Sequence, residues 1–419
     1  MNFYLNKYGF QPPQLTDAVP TNVKLIVVIP CFHEPDLIQT LQSLYDCQML
    51  EDGSVEVITV INSGEHHSDE LKQYNRETLI AAHNWAKSHQ DKSIHFYFIH
   101  SPDLPKKHAG VGLARKIGMD EAIYRFEQIK QDGVIVCFDA DASCTPNYLV
   151  VIDQHFKQYP NSPGAAIHYE HPISGTAFSD RIYRGIIAYE LHLRYYNQCL
   201  NYCGLPYAFH TVGSSMAVRS SAYQKQGGMN KRKAGEDFYF IHKIIALGNF
   251  SNINATKVIP SPRISDRVPF GTGKAIGEWC ENNTTVFQTY AFSTFEVLKA
   301  FVSVVPLLEK REWEDISLDI LSQHRAVLNQ FLEAHKFDQA LKGIRKNASN
   351  SDAFIKRFFT WLDAFKVLKW VHFFRDHGFP NQPIVKEVNT LFLHLNLRVT
   401  AKNEREQLIQ LREFEKTPH

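Results

Sequence analysis

The sequence predicts an α/β protein: a mostly parallel sheet with helices on both faces, followed by a helical C-terminal region. Three observations carry this. Apolar, β-branched runs of strand length recur between residues 23 and 138. Segments with helical periodicity stand between them. After about residue 275 the strand-like runs give way to long helical stretches. Strands alternating with helices favour parallel pairing with helices wound over both faces.

The elements follow in order. Residues 1–21 read as an arm, because Pro12, Pro13 and Pro20 interrupt regular structure. KLIVVIP (24–30) is a continuous apolar run, as expected of a strand covered on both faces. DLIQTLQSLYDC (36–47) has helical periodicity. VEVITVI (55–61) and HFYFIH (95–100) predict the second and third strands, and AGVGLARKIGMDEAIYRFEQIKQDG (109–133) a helix opened by glycines. VIVCF (134–138) is the next strand. In such sheets ligands sit beyond the carboxyl ends of the strands, so the loops after Pro30, Ile61 and Phe138 are expected to share one edge. The helical texture beyond 275 completes the expected division: an arm at 1–21, a catalytic-type domain at 22–275 and a helical region at 276–419.

Composition narrows the class. At 419 residues the chain holds one large or two ordinary domains, which run ~100–200 residues. Hydrophobic residues make up 44% and charged residues 21%, so a sizeable core is expected. The net charge of +1 implies no pull toward nucleic acid. Seven cysteines form no C-x-x-C pair, which argues against a disulfide framework or a zinc ribbon. The N-terminal stretch MNFYLNKYGFQPPQL does not read as a signal peptide, and FVSVVPLL (301–308) is too short to span a bilayer. A cytoplasmic protein is expected.

The segment GVIVCFDADASCTPNYL (133–149) carries the chemistry. Its apolar strand ends in two carboxylates, Asp139 and Asp141. Alternate strand residues face opposite ways, but a strand end can turn so that both face one hard cation. Oxygen ligands suit Mg²⁺ or Mn²⁺, and Mg²⁺ keeps several waters and is completed by substrate phosphates. The bland alternative is a polar turn after a buried strand; a motif this short is not specific alone.

Four segments in order resemble the family 2 glycosyltransferases with the GT-A fold: VVIPCFHEP (27–35), FDADASCTPNYL (138–149), HTVGSSMAVRSSAYQKQGGM (210–229) and AGEDFYFIHKI (234–244). The resemblance covers roughly residues 23–275. It implies transfer of a sugar from a nucleotide-diphosphate sugar to an acceptor hydroxyl, a hexosyltransferase activity. It implies that Asp141 contacts Mg²⁺ or Mn²⁺ and that Asp139 contacts the metal or the donor ribose. Asp237 matches the catalytic base of inverting members, with Glu236 orienting it or binding the acceptor. Pro30, Phe32, His33 and Glu34 lie where the family cradles base and ribose. Asn62 takes the place of the family's base-reading Asp; its amide donates and accepts. HAGVGLARKIG (108–118) matches the Gly-rich helix start, so Arg115 and Lys116 are expected at the diphosphate, where a helix N-terminus favours anions. The family's third metal ligand, often His, has no His counterpart; Asp266 is the candidate. Arg263, Arg267 and Lys274, with Gly271 and Gly273, resemble a lid closing on phosphates. The acceptor class stays open between a glycan, a lipid-linked sugar and a small metabolite.

Other readings compete. Glu236 and Asp237 are also what a helix N-terminus takes for its dipole. A haloacid-dehalogenase-type phosphatase also uses D-x-D, with the first Asp as nucleophile, usually near the chain start. A sugar-phosphate nucleotidyltransferase would show a Gly-rich, Arg-containing signature at its first strand, which is missing. A non-catalytic nucleotide-sugar-binding protein has no need of Asp139, Asp141 and Asp237 together. In the C-terminal region the helix around 354–375 carries Phe358, Phe359, Trp361, Phe365, Trp370, Phe373 and Phe374 beside Lys356, Arg357, Lys366, Lys369 and Arg375. A buried bundle is the first expectation there; peripheral contact with an anionic membrane is the second.

Overall fold

The computed structural model describes residues 2–267, 271–282 and 285–417. The chain forms two units by internal packing. Residues 1–183, 211–280 and 415–419 make the first; residues 184–210 and 281–414 make the second.

In the first unit, α1 (Phe3–Tyr8), β1 (Val23–Cys31), α2 (Leu37–Tyr45), β2 (Ser54–Gly64), α3 (Asp69–Lys87), β3 (Ile94–Leu104), α4 (Val111–Ile129), β4 (Val134–Cys137), β5 (Ser143–Cys144), α5 (Tyr148–Gln158) and β6 (Gly164–Tyr169) follow one another. Helix α6 (Asp180–Tyr202) starts here and lies mostly in the second unit. Then come β7 (Met216–Arg219), α7 (Ser220–Lys225), α8 (Glu236–Ile245), β8 (Ser251–Ile259) and α9 (Thr272–Glu281). The eight strands form one sheet in the order β3-β2-β1-β4-β7-β6-β8-β5.

The continuous apolar run of β1 is explained by two cores. Leu25, Val27 and Ile29 pack with Leu41 and Leu44 of α2 and Ile152 of α5. Ile26 and Val28 pack with Leu113 and Ile117 of α4 and Phe240 of α8. Alternate side chains feed opposite faces, and burying each such residue stabilises by ~1.5–3 kcal/mol. The expected α/β sheet with helices on both faces is therefore what the chain forms.

Strand directions decide where the site falls. β1 runs parallel to β2 and β4, β7 antiparallel to β4, β6 antiparallel to β7, and β8 parallel to β6. The carboxyl ends of β1, β2, β4 and β8 thus share one edge with the start of β7.

The N-terminal arm is strapped to α4 by buried polar groups. Tyr4 Oη donates to Asp120 at 2.7 Å, Phe10 N–H to Asp120 at 3.1 Å and Gln14 N–H to Glu121 at 2.8 Å, while Arg125 donates to the Asp17 carbonyl. This accounts for the charged face that α4 buries; buried charge persists where it is paired.

The second unit adds α10 (Phe292–Ser303), α11 (Asp319–Gln323), α12 (Arg325–Ala334), α13 (Phe337–Asn347), α14 (Ser351–Trp361), α15 (Ala364–Asp376), α16 (Ile384–His394) and α17 (Glu404–Lys416). The single helix expected around 354–375 is two. Leu362 leaves helical geometry, and the Asp363 side chain accepts the Lys366 N–H to cap α15. Phe354, Phe358, Trp370 and Phe374 are wholly buried, as the bundle expectation required, while Phe365 is exposed. No helix among the described residues is long and apolar enough to cross a membrane.

Candidate active site

Arg115 joins the two acidic motifs. On α4, its guanidinium is ion-paired both to Asp139, just past β4, and to Glu236, the first residue of α8. Gly213, ahead of β7, lets it sit there: a Cβ on Gly213 would lie 2.6 Å from the guanidinium. Burial opposes the charge on Arg115, but Asp139 and Glu236 outweigh it and raise its pKa. Gly235, at φ 67°, makes the left-handed turn that starts α8 and places Glu236 and Asp237 in its first turn.

A second set of arginines holds the other half of the edge. Arg263 Nε donates to Asp141 at 2.7 Å, and its fork also grips Glu34. Arg267 donates to Glu34 at 2.9 Å and to the His33 carbonyl at 2.9 Å. Glu34 is buried beneath both. Burial pushes the Asp141 carboxyl up to about 6 against the pull of Arg263, and Glu236 up to about 7 against that of Arg115. Asp237 is raised for the same reason, also against Arg115. Five carboxylates (Glu34, Asp139, Asp141, Glu236 and Asp237) face three guanidiniums, so negative charge is in surplus.

That surplus suits a divalent cation. Asp139 gives one oxygen to Arg115 and Asp141 one to Arg263, leaving a second oxygen on each. Two carboxylate oxygens fit a Mg²⁺ or Mn²⁺ that keeps waters and takes phosphates from a substrate. Among the described residues no group of three or more His, Cys, Asp or Glu is placed to hold a metal alone.

The structure does not gather every residue singled out above. Asp266 is mostly exposed, pairs with Lys274 at 3.7 Å, and makes no three-residue metal group with Asp139 and Asp141. Lys116, one residue after Arg115, points to the arm and pairs with Asp120 at 3.0 Å. Neighbouring helix positions differ by about 100° in direction, and here that turn gives Lys116 to Asp120 and Tyr4 while Arg115 meets Asp139 and Glu236. The glycines that open α4 serve packing: a Cβ on Gly112 would lie 2.2 Å from the Arg232 carbonyl oxygen and 3.0 Å from Glu236 Cβ. Of the lid segment, Gly273 packs against Ser265, while residues 268–270 lie outside the described residues.

On the opposite flank, Pro30 is partly exposed near the end of β1, between the buried Ile29 and Cys31, and Phe32 lies against the His67 ring at 4.8 Å. His33 holds a left-handed backbone, φ 49°, with its N–H donating to Asn75 at 3.1 Å. Asn75 of α3 also donates to the Asn62 carbonyl at 2.9 Å, tying the β1 and β2 loops together. Tyr74 packs on His33 at 4.6 Å. Asn75, His67 and Tyr74 escape sequence reasoning, since nothing in a polar helix or loop announces a partner on another strand.

The sequence matches no family model and no curated protein sequence. Among solved structures, the chain is similar to S. aureus TarS 1–349 in complex with UDP-GlcNAc, at 12% identity and a TM-score of 0.40, covering 94% of this chain and 91% of that one. It is also similar to the mannosyltransferase PcManGT from Pyrobaculum calidifontis in complex with GDP-Man and Mn²⁺, at 14% identity and a TM-score of 0.34, covering 86% of this chain and 93% of that one.

Proposed function

We propose that the chain transfers a sugar from a nucleotide-diphosphate sugar to an acceptor hydroxyl, with inversion at the anomeric carbon. The observation that carries this reading is the Arg115 bridge. It brings a strand-end carboxylate pair and a helix-start carboxylate pair, 97 positions apart at Asp139 and Glu236, to one sheet edge.

Asp139 and Asp141 would hold Mg²⁺ or Mn²⁺, which, when bound, neutralises charge on the diphosphate leaving group. Arg267 and Lys274 add positive charge on the donor side. Asn62 reads the base edge, flanked by Phe32, His33 and Glu34. Glu236 is engaged by Arg115 and serves to orient. Asp237 keeps a carboxylate for the acceptor and takes the hydroxyl proton as oxygen attacks carbon and the bond to the diphosphate breaks. Its raised pKa brings it nearer the working range of a general base.

The test is donor turnover with and without Mn²⁺, by wild type and Asp141→Ala. The variant should lose nucleotide-diphosphate affinity and keep its melting temperature. Full wild-type activity in excess chelator would remove the metal from the reading. Release of inorganic phosphate in place of a nucleoside diphosphate would favour the phosphatase alternative.

A further inference from the structure

Cys47 and Cys144 lie 97 positions apart in the chain, yet their sulfurs are 3.5 Å apart. Cys47 follows α2. Cys144 sits in β5, three residues past Asp141. Neither thiol has a part in the proposed transfer. The contact belongs to a preassembled seam between α2 and the acidic loop. Thr40 Oγ1 donates to the Ala140 carbonyl at 2.9 Å, Cys144 N–H donates to Ser43 Oγ at 3.0 Å, and Gln48 N–H donates to the Pro146 carbonyl at 2.7 Å. A surface cavity of about 590 Å³ opens on Cys144, lined also by Gln39, Gln42, Ser43, Asp46 and Pro146. Cys47 is buried behind it, and Cys144 is half-buried.

We infer that Cys47 and Cys144 form an oxidisable dithiol, at which a peroxide closes a disulfide between α2 and the loop carrying Asp139 and Asp141. The cavity admits the oxidant to Cys144. Its sulfur attacks one peroxide oxygen, the O–O bond breaks, and the products are a sulfenic acid and water. Cys47 then attacks the Cys144 sulfur; the S–S bond forms, the S–O bond breaks, and hydroxide leaves with the Cys47 proton as a second water. Two electrons pass from the thiols to the peroxide. The contact draws the Cys47 thiol below its ordinary pKa and, with burial, pushes that of Cys144 up, so it is the cavity's access to the Cys144 sulfur that sets the order of the two steps. Because the seam already holds both backbones, the sulfurs need only close from 3.5 Å to about 2.05 Å.

The full-length protein, native and treated with hydrogen peroxide, is read by intact mass before alkylation and by peptide mapping after it. The expected result is a loss of about 2 Da, a linked peptide pair containing Cys47 and Cys144, reversal by dithiothreitol, and a higher melting temperature for the oxidised form. Cys47→Ser and Cys144→Ser should each abolish the link. The wild-type map decides the matter even if a variant folds poorly. Unchanged mass, addition of about 16 or 32 Da without a link, or a link through another cysteine would each overturn the inference.

Discussion

The two units bury charge for different ends. In the second, Glu190 is closed between two guanidiniums: Arg194 donates to it at 2.8 Å, and Arg412 at 2.8 and 2.6 Å. Around the core helices the burial is aromatic. Trp370 has Phe301 at 5.4 Å, Phe331 at 5.0 Å and Phe374 stacked at 4.7 Å. In the first unit, at the sheet edge, carboxylates outnumber arginines, and Asp141, Glu236 and Asp237 are all pushed upward by burial. A closed ion cluster supports a fold; a cluster with unspent carboxylate oxygens is arranged for something that arrives. Perturbed carboxyls in such a place mark candidate functional sites.

The sharpest way to break that contrast is Asp237→Asn. It keeps size and hydrogen bonding but removes the basic lone pair, so turnover should fall by ~10²–10⁴-fold, the usual worth of a general base. Melting temperature and nucleotide binding should stay near wild type. Retained configuration at the product's anomeric carbon, seen by NMR, would refute the inverting role even if turnover fell.

Trp370→Ala is the counterpart in the second unit. Removing this wholly buried side chain should cost about 3–5 kcal/mol of stability by denaturant titration, while nucleotide affinity at the first unit's edge persists wherever the variant remains folded. A loss of donor affinity in folded protein would erase the contrast between the units.

Arg267→Ala should raise the donor KM about tenfold, consistent with one charge-assisted hydrogen bond, and leave stability almost unchanged. Unaltered kinetics would assign Arg267 to holding Glu34 alone.

The smallest effect is a pH slope. Burial holds His192, whose Nδ1 is 2.7 Å from Thr289 Oγ1, down to about 4 from 6.5. Its folded pKa is depressed, so between pH 6.5 and 4 the unfolded chain binds more protons, and stability falls as pH drops through that window. His242 in the first unit is held to about 4 by burial as well, so His192→Gln should flatten only part of the fall in melting temperature. An identical slope in the variant would show that His192 does not contribute.

Much of the first unit was legible because its signals are local. β-branched runs at 24–30 and 55–61 specify buried strands, and an acidic pair after Gly235 specifies a helix start. Strand β6, Gly164–Tyr169, has no such signal: its two alanines and leading glycine carry little strand preference. Helix α3 has little signal either, since its residues are largely polar and only Asn75 and Ala82 are buried. The break at Leu362–Asp363 was hidden because both flanking segments keep an aromatic, helical pattern.

The sequence by itself determined the alternation of strand and helix, the strand-end carboxylates Asp139 and Asp141, and the acidic helix start at Glu236 and Asp237. Those properties depend on residues within a few positions of one another. Only the tertiary structure decided that Arg115 and not Lys116 meets Asp139 and Glu236, that Arg263 from 122 positions away pairs with Asp141, that Asp266 pairs with Lys274, and that Cys47 meets Cys144. Each of those depends on strand order and helix rotation, which bring distant positions to one edge and turn adjacent positions to opposite sides.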